Sequence, residues 1–209
     1  AVITWTSSDE TIIATDGTVV LPTEETTVTL TATANLGDAE EVLNFVIVVK
    51  PEGALVEQTA TMKFSGSVNE NMGTDNEAAN VGLDANVFNV LGFNGEAKQN
   101  VGLNAAGQIR IYSVRGSGEG NTLEVSIKSG VIKGVEIKFT PTTGSTAQST
   151  SGLLTLGTEE VNLTENDLTV VQLYEDLDIA KFTLKNTHLG GDKNGQIWIT
   201  EIVITYLGD

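Results

Sequence analysis

A chain of 209 residues, 40 % of them hydrophobic, can build one or two cores and is not of disordered composition. Its net charge of −17, from 11 basic against 28 acidic side chains, repels phosphate backbones and anionic membrane surfaces, so neither a nucleic-acid partner nor membrane insertion is expected. With no cysteine it can form no disulfide, zinc-thiolate site or thiol nucleophile. The 22 glycines, only 3 prolines and frequent Thr, Val and Ile point to strands joined by turns, hence to an all-β protein.

The first strand is Val2-Ile3-Thr4-Trp5, followed by the polar turn Thr6–Glu10. Thr11–Ala14 and Thr18–Leu21 form a pair across the Asp16-Gly17 turn. Then comes the clearest alternation in the chain: Val28, Leu30, Ala32 and Ala34 on one face, Thr27, Thr29, Thr31 and Thr33 on the other. After Leu36-Gly37-Asp38 the chain returns with Leu43, Phe45, Ile47 and Val49 on the inward face. Lys50-Pro51-Glu52-Gly53 ends this unit, since proline cannot extend the ladder. Residues 1–50 are therefore one domain, with one basic against eight acidic side chains, and 51–58 a linker.

Residues 59–209 read as a second domain. Thr59–Phe64 alternates as a strand, and Ser65–Asn80 is polar. Ala78–Val87 is the one helix candidate, a turn or two long, and Phe88–Phe93 is a strand ending at Asn94-Gly95. Strands follow over Gln108–Val114, Asn121–Lys128 and Val131–Phe139, with Gly116–Gly120 as a hairpin loop and Thr140–Gly152 as an exposed Thr/Ser/Gly loop. Leu153–Leu156, Glu160–Leu163 and Leu168–Leu173 are further strands, and Ala180–Lys185 is expected to pair with the last. That last strand, Gln196–Tyr206, is the longest β-forming run and the expected centre of its sheet. Its parity breaks: Ile197 and Ile199 fall opposite Ile202, Ile204 and Tyr206. An inserted residue near Thr200-Glu201 would put both sets on the core and turn Trp198 away from it, open to a ligand; without the insertion Trp198 is buried beside Ile202. Strand spacing of this kind suits a large antiparallel sandwich or jelly roll.

Ile3-Thr4-Trp5 with Ser7-Ser8, Ile13, Gly17 with Val19, Thr27–Thr33, and Phe45 with Ile47 and Val49 together resemble the atypical bacterial immunoglobulin-like repeats. In those repeats a leading segment precedes the first of these strands, so the first domain is expected to be N-terminally incomplete and the chain a piece of a longer precursor. Gly82-Leu83-Asp84 with Phe88 and Val90, Ile109–Tyr112, Gly120–Val125, Ile132–Phe139, Phe182–Asn186 and Ile197–Tyr206 resemble β-sandwich accessory modules of secreted, multidomain Firmicute and Mollicute proteins. Such modules occur in the same chain as nucleases or hydrolases. Together the two resemblances imply an extracellular or cell-surface bacterial location, with other domains of the same precursor as partners.

No catalytic constellation emerges, and no enzyme is expected. The one histidine, His188, lies in a Thr/Gly loop with no G-x-S-x-G elbow to support a triad, and reads as a surface residue. Glu159-Glu160, Glu175, Asp176 and Asp178 could supply paired carboxylates, but acidic runs in so anionic a chain belong on the solvated face. Gly116–Gly120 lacks the Lys-Ser/Thr pair and helix of a phosphate loop. No cofactor is expected; a structural calcium is the one metal the loops could hold, through Asp75 and Glu77 and through Asp192 and Asn194, whose oxygens are the hard ligands calcium takes. If the larger domain binds glycans or cell-surface proteins, the candidates are Trp198 on the last strand with Tyr112, Arg110 and Arg115, and the loops Asn69–Asn80, Arg110–Arg115 and His188–Lys193. Two functions fit: a non-catalytic module for adhesion, spacing or ligand presentation, and a carbohydrate-binding module attached to a hydrolase or nuclease.

Overall fold

The structure is a computed structural model, and it describes residues 2–37, 39–49, 51, 55–190 and 195–208. Its regular elements are nearly all strands, and it divides into two compact units, Ala1–Ala54 and Leu55–Asp209.

The first unit is a three-stranded antiparallel sheet of β1 (Val2–Ser7), β2 (Thr26–Leu36) and β3 (Ala39–Val49), with β2 in the middle. The register sets Ile3 opposite Ala34, Trp5 opposite Ala32, and Phe45 opposite Leu30, so the alternation of β2 produces one apolar face and one threonine face. The short hairpin around Asp16-Gly17, held by the bridge Ile13↔Val19, covers only part of the apolar face. Ile13 of this hairpin is buried together with Val28 and Val49 of the sheet. Trp5 stays 43 % exposed, its ring 5.7 Å from that of Phe45.

The second unit is a two-sheet sandwich. Its strands are β4 (Val56–Met62), β5 (Glu70–Asn71), β6 (Phe88–Phe93), β7 (Gly102–Asn104), β8 (Gln108–Tyr112), β9 (Thr122–Ile127), β10 (Val131–Thr140), β11 (Ala147–Gln148), β12 (Ser151–Leu156), β13 (Glu159–Thr164), β14 (Val171–Tyr174), β15 (Lys181–Asn186) and β16 (Gly195–Gly208). Short 3-10 turns lie at Ala78–Val81, within the expected helix, and at Asp167–Thr169. One sheet runs β14-β10-β16-β8-β7-β5; the other runs β13-β12-β15-β9-β6. Their inner faces share one core that includes Ile109, Ile111, Leu123, Phe88, Leu154, Phe182 and Ile204.

β16 organises the larger sheet. Along one edge it pairs first with β8 (Gln196–Ile199) and then with β4 (Ile202–Gly208). Along the other it pairs with β10 and, in parallel, with β11. The pairing to β10 skips a residue between Ile199 and Glu201, so Thr200 is the inserted residue that the parity break requires. Ile197, Ile199, Ile202, Ile204 and Tyr206 consequently all face the core. The Thr200 hydroxyl donates to the carbonyl of Lys138 at 3.1 Å, tying the bulge to its neighbour.

Three expectations need correction. β15 pairs with β12 and β9 in the opposite sheet, not with the final strand, because its Phe182 and Leu184 face the shared core from the other side. Gly116–Gly120 is not a hairpin loop: β8 and β9 belong to different sheets, and the segment crosses between them. The Thr140–Gly152 stretch is not wholly exposed, since β11 lies on β16 and Ser149 is fully buried.

Candidate functional site

A cleft of about 600 Å³ lies in the second unit at the end of the sandwich where β8 leaves its sheet. One side comes from the loop after β6, with Glu96, Lys98 and Gln99; the other from Tyr112, Ser113 and Arg115, joined by Gln196 at the start of β16.

Two buried asparagines hold these segments. The Asn121 side-chain amide donates to the carbonyls of Asn94 (3.1 Å) and Gln99 (2.8 Å), while its carbonyl accepts the backbone N–H of Tyr112 (2.9 Å). One side chain thus pins both sides of the cleft. Gly95 brings the loop in: its φ of +57° and an approach that would leave an added Cβ 2.4 Å from the Glu119 carbonyl admit no other residue. Asn186 does the same for the strand ends, its amide donating to the carbonyls of Ile111 (2.9 Å) and Gly195 (3.2 Å), its carbonyl accepting from the Ser149 hydroxyl (2.9 Å) and the His188 N–H (3.1 Å).

Ser113 is 2 % exposed, and its hydroxyl, among the cleft-lining residues, has no hydrogen-bond partner. A buried hydroxyl left unpaired costs about 1–3 kcal/mol.

Tyr112 also borders a second hollow of about 140 Å³ on the outer sheet face, formed with Asn71, Asn104 and Arg110. Its ring lies over Gly102, where an added Cβ would meet the phenol oxygen at 2.9 Å. Tyr112 is therefore the partition between two adjoining polar hollows.

Trp198 faces away from the core, as the bulge dictates, yet it is not open to a ligand: it is only 4 % exposed. The guanidinium carbon of Arg110 sits 4.5 Å from the ring centroid and covers it, a cation–π contact worth about 1–2 kcal/mol when desolvated. The indole N–H donates to Gln196 Oε1 at 2.7 Å, and Arg110 Nη2 to Gln108 Oε1 at 3.1 Å. Register explains the pairing, since Trp198 stands opposite Arg110 across the β8–β16 ladder. Among the four residues singled out for ligand contact, then, Tyr112 and Arg115 line the cleft, Arg110 the second hollow, and Trp198 lies beneath Arg110 as packing.

His188 is buried, not a surface residue. Its Nδ1 accepts the Thr150 N–H at 3.2 Å and lies 2.9 Å from the Thr150 hydroxyl, which places the ring proton on Nε2. That Nε2 is buried without a partner. The ring is thus used to join the segment after β15 to the one before β12.

Of the calcium candidates, Asp192 and Asn194 lie outside the described residues. Glu77 accepts hydrogen bonds from the Gly73 N–H (3.3 Å) and the Asn80 amide (2.6 Å), and Asp75 lies exposed in the same loop. Among the described residues no three His, Cys, Asp or Glu side chains gather where they could hold a metal ion.

Ser113 falls in the expected Arg110–Arg115 loop, whereas Glu96, Lys98, Gln99, Asn121 and Gln196 lie outside the residues singled out from the sequence. Lys98 and Glu96 belong to a loop that its sequence marks only as a turn after Asn94-Gly95. Asn121 and Asn186 stand in the quoted Gly120–Val125 and Phe182–Asn186 motifs, where an asparagine at a strand end was the available signal.

Residues 1–52 match the family model of the atrophied bacterial Ig domain. Immunoglobulin-like domains of bacteria are commonly extracellular or on the cell surface, which suggests an extracellular module. No curated protein matches the chain. Among the described residues no helix is long and apolar enough to cross a membrane.

Proposed function

We propose that this chain is a non-catalytic extracellular module of a bacterial secreted or surface protein, and that its larger unit binds a saccharide in the Tyr112 cleft. The observation that carries the reading is the cleft itself. It is assembled from loop and strand-end residues on two buried asparagine networks, and it combines an aromatic ring with amide, hydroxyl and cationic groups. Sugars are recognised by that mixture: directional hydrogen bonds to hydroxyls and a flat apolar surface for the ring. The non-catalytic part is supported by the use of His188 as a fixed acceptor for Thr150. The first unit, with its match to a bacterial immunoglobulin-like family, serves in this reading to space or present the second.

The test is a glycan array probed with the 209-residue chain, with and without EDTA, followed by calorimetry on the best binder. Tyr112→Ala should weaken binding at least tenfold, about 1.4 kcal/mol, without altering the fold by circular dichroism. An array silent across plant, host and bacterial glycans would leave adhesion through protein contacts or simple spacing as the function.

A further inference from the structure

We propose that the outer edge of β3 pairs, antiparallel and about a two-fold axis, with the same edge of a second copy of this chain. This surface belongs to the first unit, and the saccharide reading has no bearing on it. Among the described residues β3 is hydrogen-bonded only to β2, so it is an edge strand. It is 11 residues long, and its register with β2 runs unbroken from Ala39 to Val49. Within it there is no proline, glycine or basic side chain, and no charge from Val42 to Val49; its two acids are Glu40 and Glu41. Edge strands are ordinarily kept from joining others by prolines, lysines, bulges or short length. β3 has none of these.

The ladder tells which backbone groups point outward. The Ser8 N–H donates to the Thr29 carbonyl at 2.9 Å, and the Thr29 N–H donates to the Ser8 hydroxyl at 2.8 Å, so the backbone of Thr29 faces β1. Backbone direction alternates along an antiparallel strand. Val28 and Leu30 therefore face β3, where their partners are Ile47 and Phe45. It follows that Val42, Asn44, Val46 and Val48 turn their N–H and C=O groups to the outer edge. The three valines among them are 49 %, 70 % and 52 % exposed, so that edge stands open to solvent.

Such an edge takes an extended strand, and β3 itself is complementary to it. Pairing outward residues with outward residues sets odd positions against odd, so Leu43, Phe45 and Ile47 meet the same apolar set and the two sheets keep one apolar face. The register centred on Phe45 puts Phe45 against its copy, Leu43 against Ile47, Val42 against Val48 and Asn44 against Val46. The two phenyl rings then occupy a non-hydrogen-bonded position, the closest approach in a ladder, where aromatic pairs stabilise. Charge selects the same register. A net charge of −17 opposes self-association, but here the Glu40-Glu41 pairs of the two copies lie at opposite ends. At about 3.3 Å per residue they are roughly 30 Å apart, well beyond a Debye length of about 8 Å. Lys50, which follows Val49 in the sequence and is the one basic residue of the first 50, comes opposite Glu40 of the second copy. Pairing of β3 with β1 would leave a free edge on each copy and grow filaments, whereas β3 with β3 closes at two.

Sedimentation equilibrium of the 209-residue chain, over a wide concentration range at physiological salt, should show a monomer–dimer equilibrium and nothing larger. Val46→Lys, which sets an ammonium group on each outer edge, should raise the dissociation constant at least tenfold. Val46→Pro removes an N–H that β2 does not use, so it should weaken the dimer likewise while circular dichroism shows the sheet retained. Amide exchange followed by NMR gives the signature of edge pairing. Val42, Asn44, Val46 and Val48 should be protected only at concentrations where the dimer forms, and Leu43, Phe45 and Ile47 at every concentration. Phe45→Cys, treated with a thiol oxidant in a chain with no other cysteine, should link into a disulfide dimer, and Val48→Cys should not. A chain that stays monomeric at the highest concentration overturns the proposal, and so does growth beyond the dimer. A dimer indifferent to both Val46 variants, with no alternation in its amide protection, also overturns it and assigns the contact to the exposed face of Trp5 and Leu43. Linking through Val48→Cys in place of Phe45→Cys overturns the register.

Discussion

The residues that shape the cleft are mostly those that cannot be seen from its surface. Asn121 makes three side-chain hydrogen bonds, to the loop after β6 and to β8, while fully buried. Asn121→Ala leaves two carbonyls and one N–H unpaired in the interior, and the expected cost is about 3 kcal/mol or more of stability, measured by urea denaturation. Ligand affinity should fall in the same variant, because both sides of the cleft lose their common anchor. Trp198→Ala is expected to behave differently: a loss of about 3 kcal/mol in stability, from removing a buried aromatic ring. Sequence reading could name Trp198, Tyr112, Arg110 and Arg115 as unusual in a chain with few aromatics and few cations. It could not decide which would be covered, because that depends on what stands opposite across a ladder. Arg110 faces Trp198 by register, and register comes from pairing between segments about 90 residues apart. His188 was misjudged for a related reason: glycine-rich flanks suggest exposure, but Thr150, far away in sequence, supplies its partner.

Among the strands, the break in parity at Thr200 was legible because it violates a strict period of two, and only an inserted residue restores it. The partner of β15 was not legible, since two-sided apolar strands look alike in whichever sheet they lie. A contact between β10 and β16 gives the clearest element-scale test. The Lys138 ammonium hydrogen-bonds the Glu201 carboxylate beside the bulge and also lies 3.6 Å from Glu136. The hydrogen bond to Lys138 holds the Glu201 carboxyl below the usual carboxylate range. A carboxyl depressed in the folded state stabilises above its unfolded value and loses that contribution as pH falls through the folded one. Lys138, raised chiefly by the same hydrogen bond, contributes below its ordinary value and loses it only in strong alkali, above about pH 10. Glu201→Gln should therefore lower the urea midpoint at pH 7, and the two proteins should converge as pH falls from the usual carboxylate range through the depressed folded value. A difference that does not change with pH across the acid range would assign the effect to packing at the bulge. Asp167, held low by the Thr164 hydroxyl and amide, adds to the acid sensitivity with the same sign.

At the scale of the molecule, the two units are built to different degrees. The second encloses a core contributed by both its sheets. Among the described residues, the first buries only Ile13, Val28 and Val49, and leaves Trp5 and Phe45 nearly half exposed. Its stability should depend on very few side chains. Val28→Ala is expected to cost about 2 kcal/mol, and Trp5→Ala about 1 kcal/mol or less, both followed by circular dichroism during denaturation. The two-unit, all-strand organisation could be read from turn spacing and alternation, because these are local. The cleft could not, because its sides lie at the ends of strands that only the folded sheet brings together.

β16 carries one more consequence, and it is kinetic. Its four partners, β4, β8, β10 and β11, all precede it in the chain, and none of β4, β8 or β11 can reach β10 through the ladder without it. Closure between β4 and β16 spans well over a hundred residues, and such distant pairings are slow to find. Until residues 195–208 arrive, the half-built sheet presents unpaired edges on strands rich in Ile and Val, the kind of surface that holding chaperones retain and that stray strands join. The interval before the last strand docks is thus when this domain is most easily kept extended, and also when it is most easily lost to aggregation.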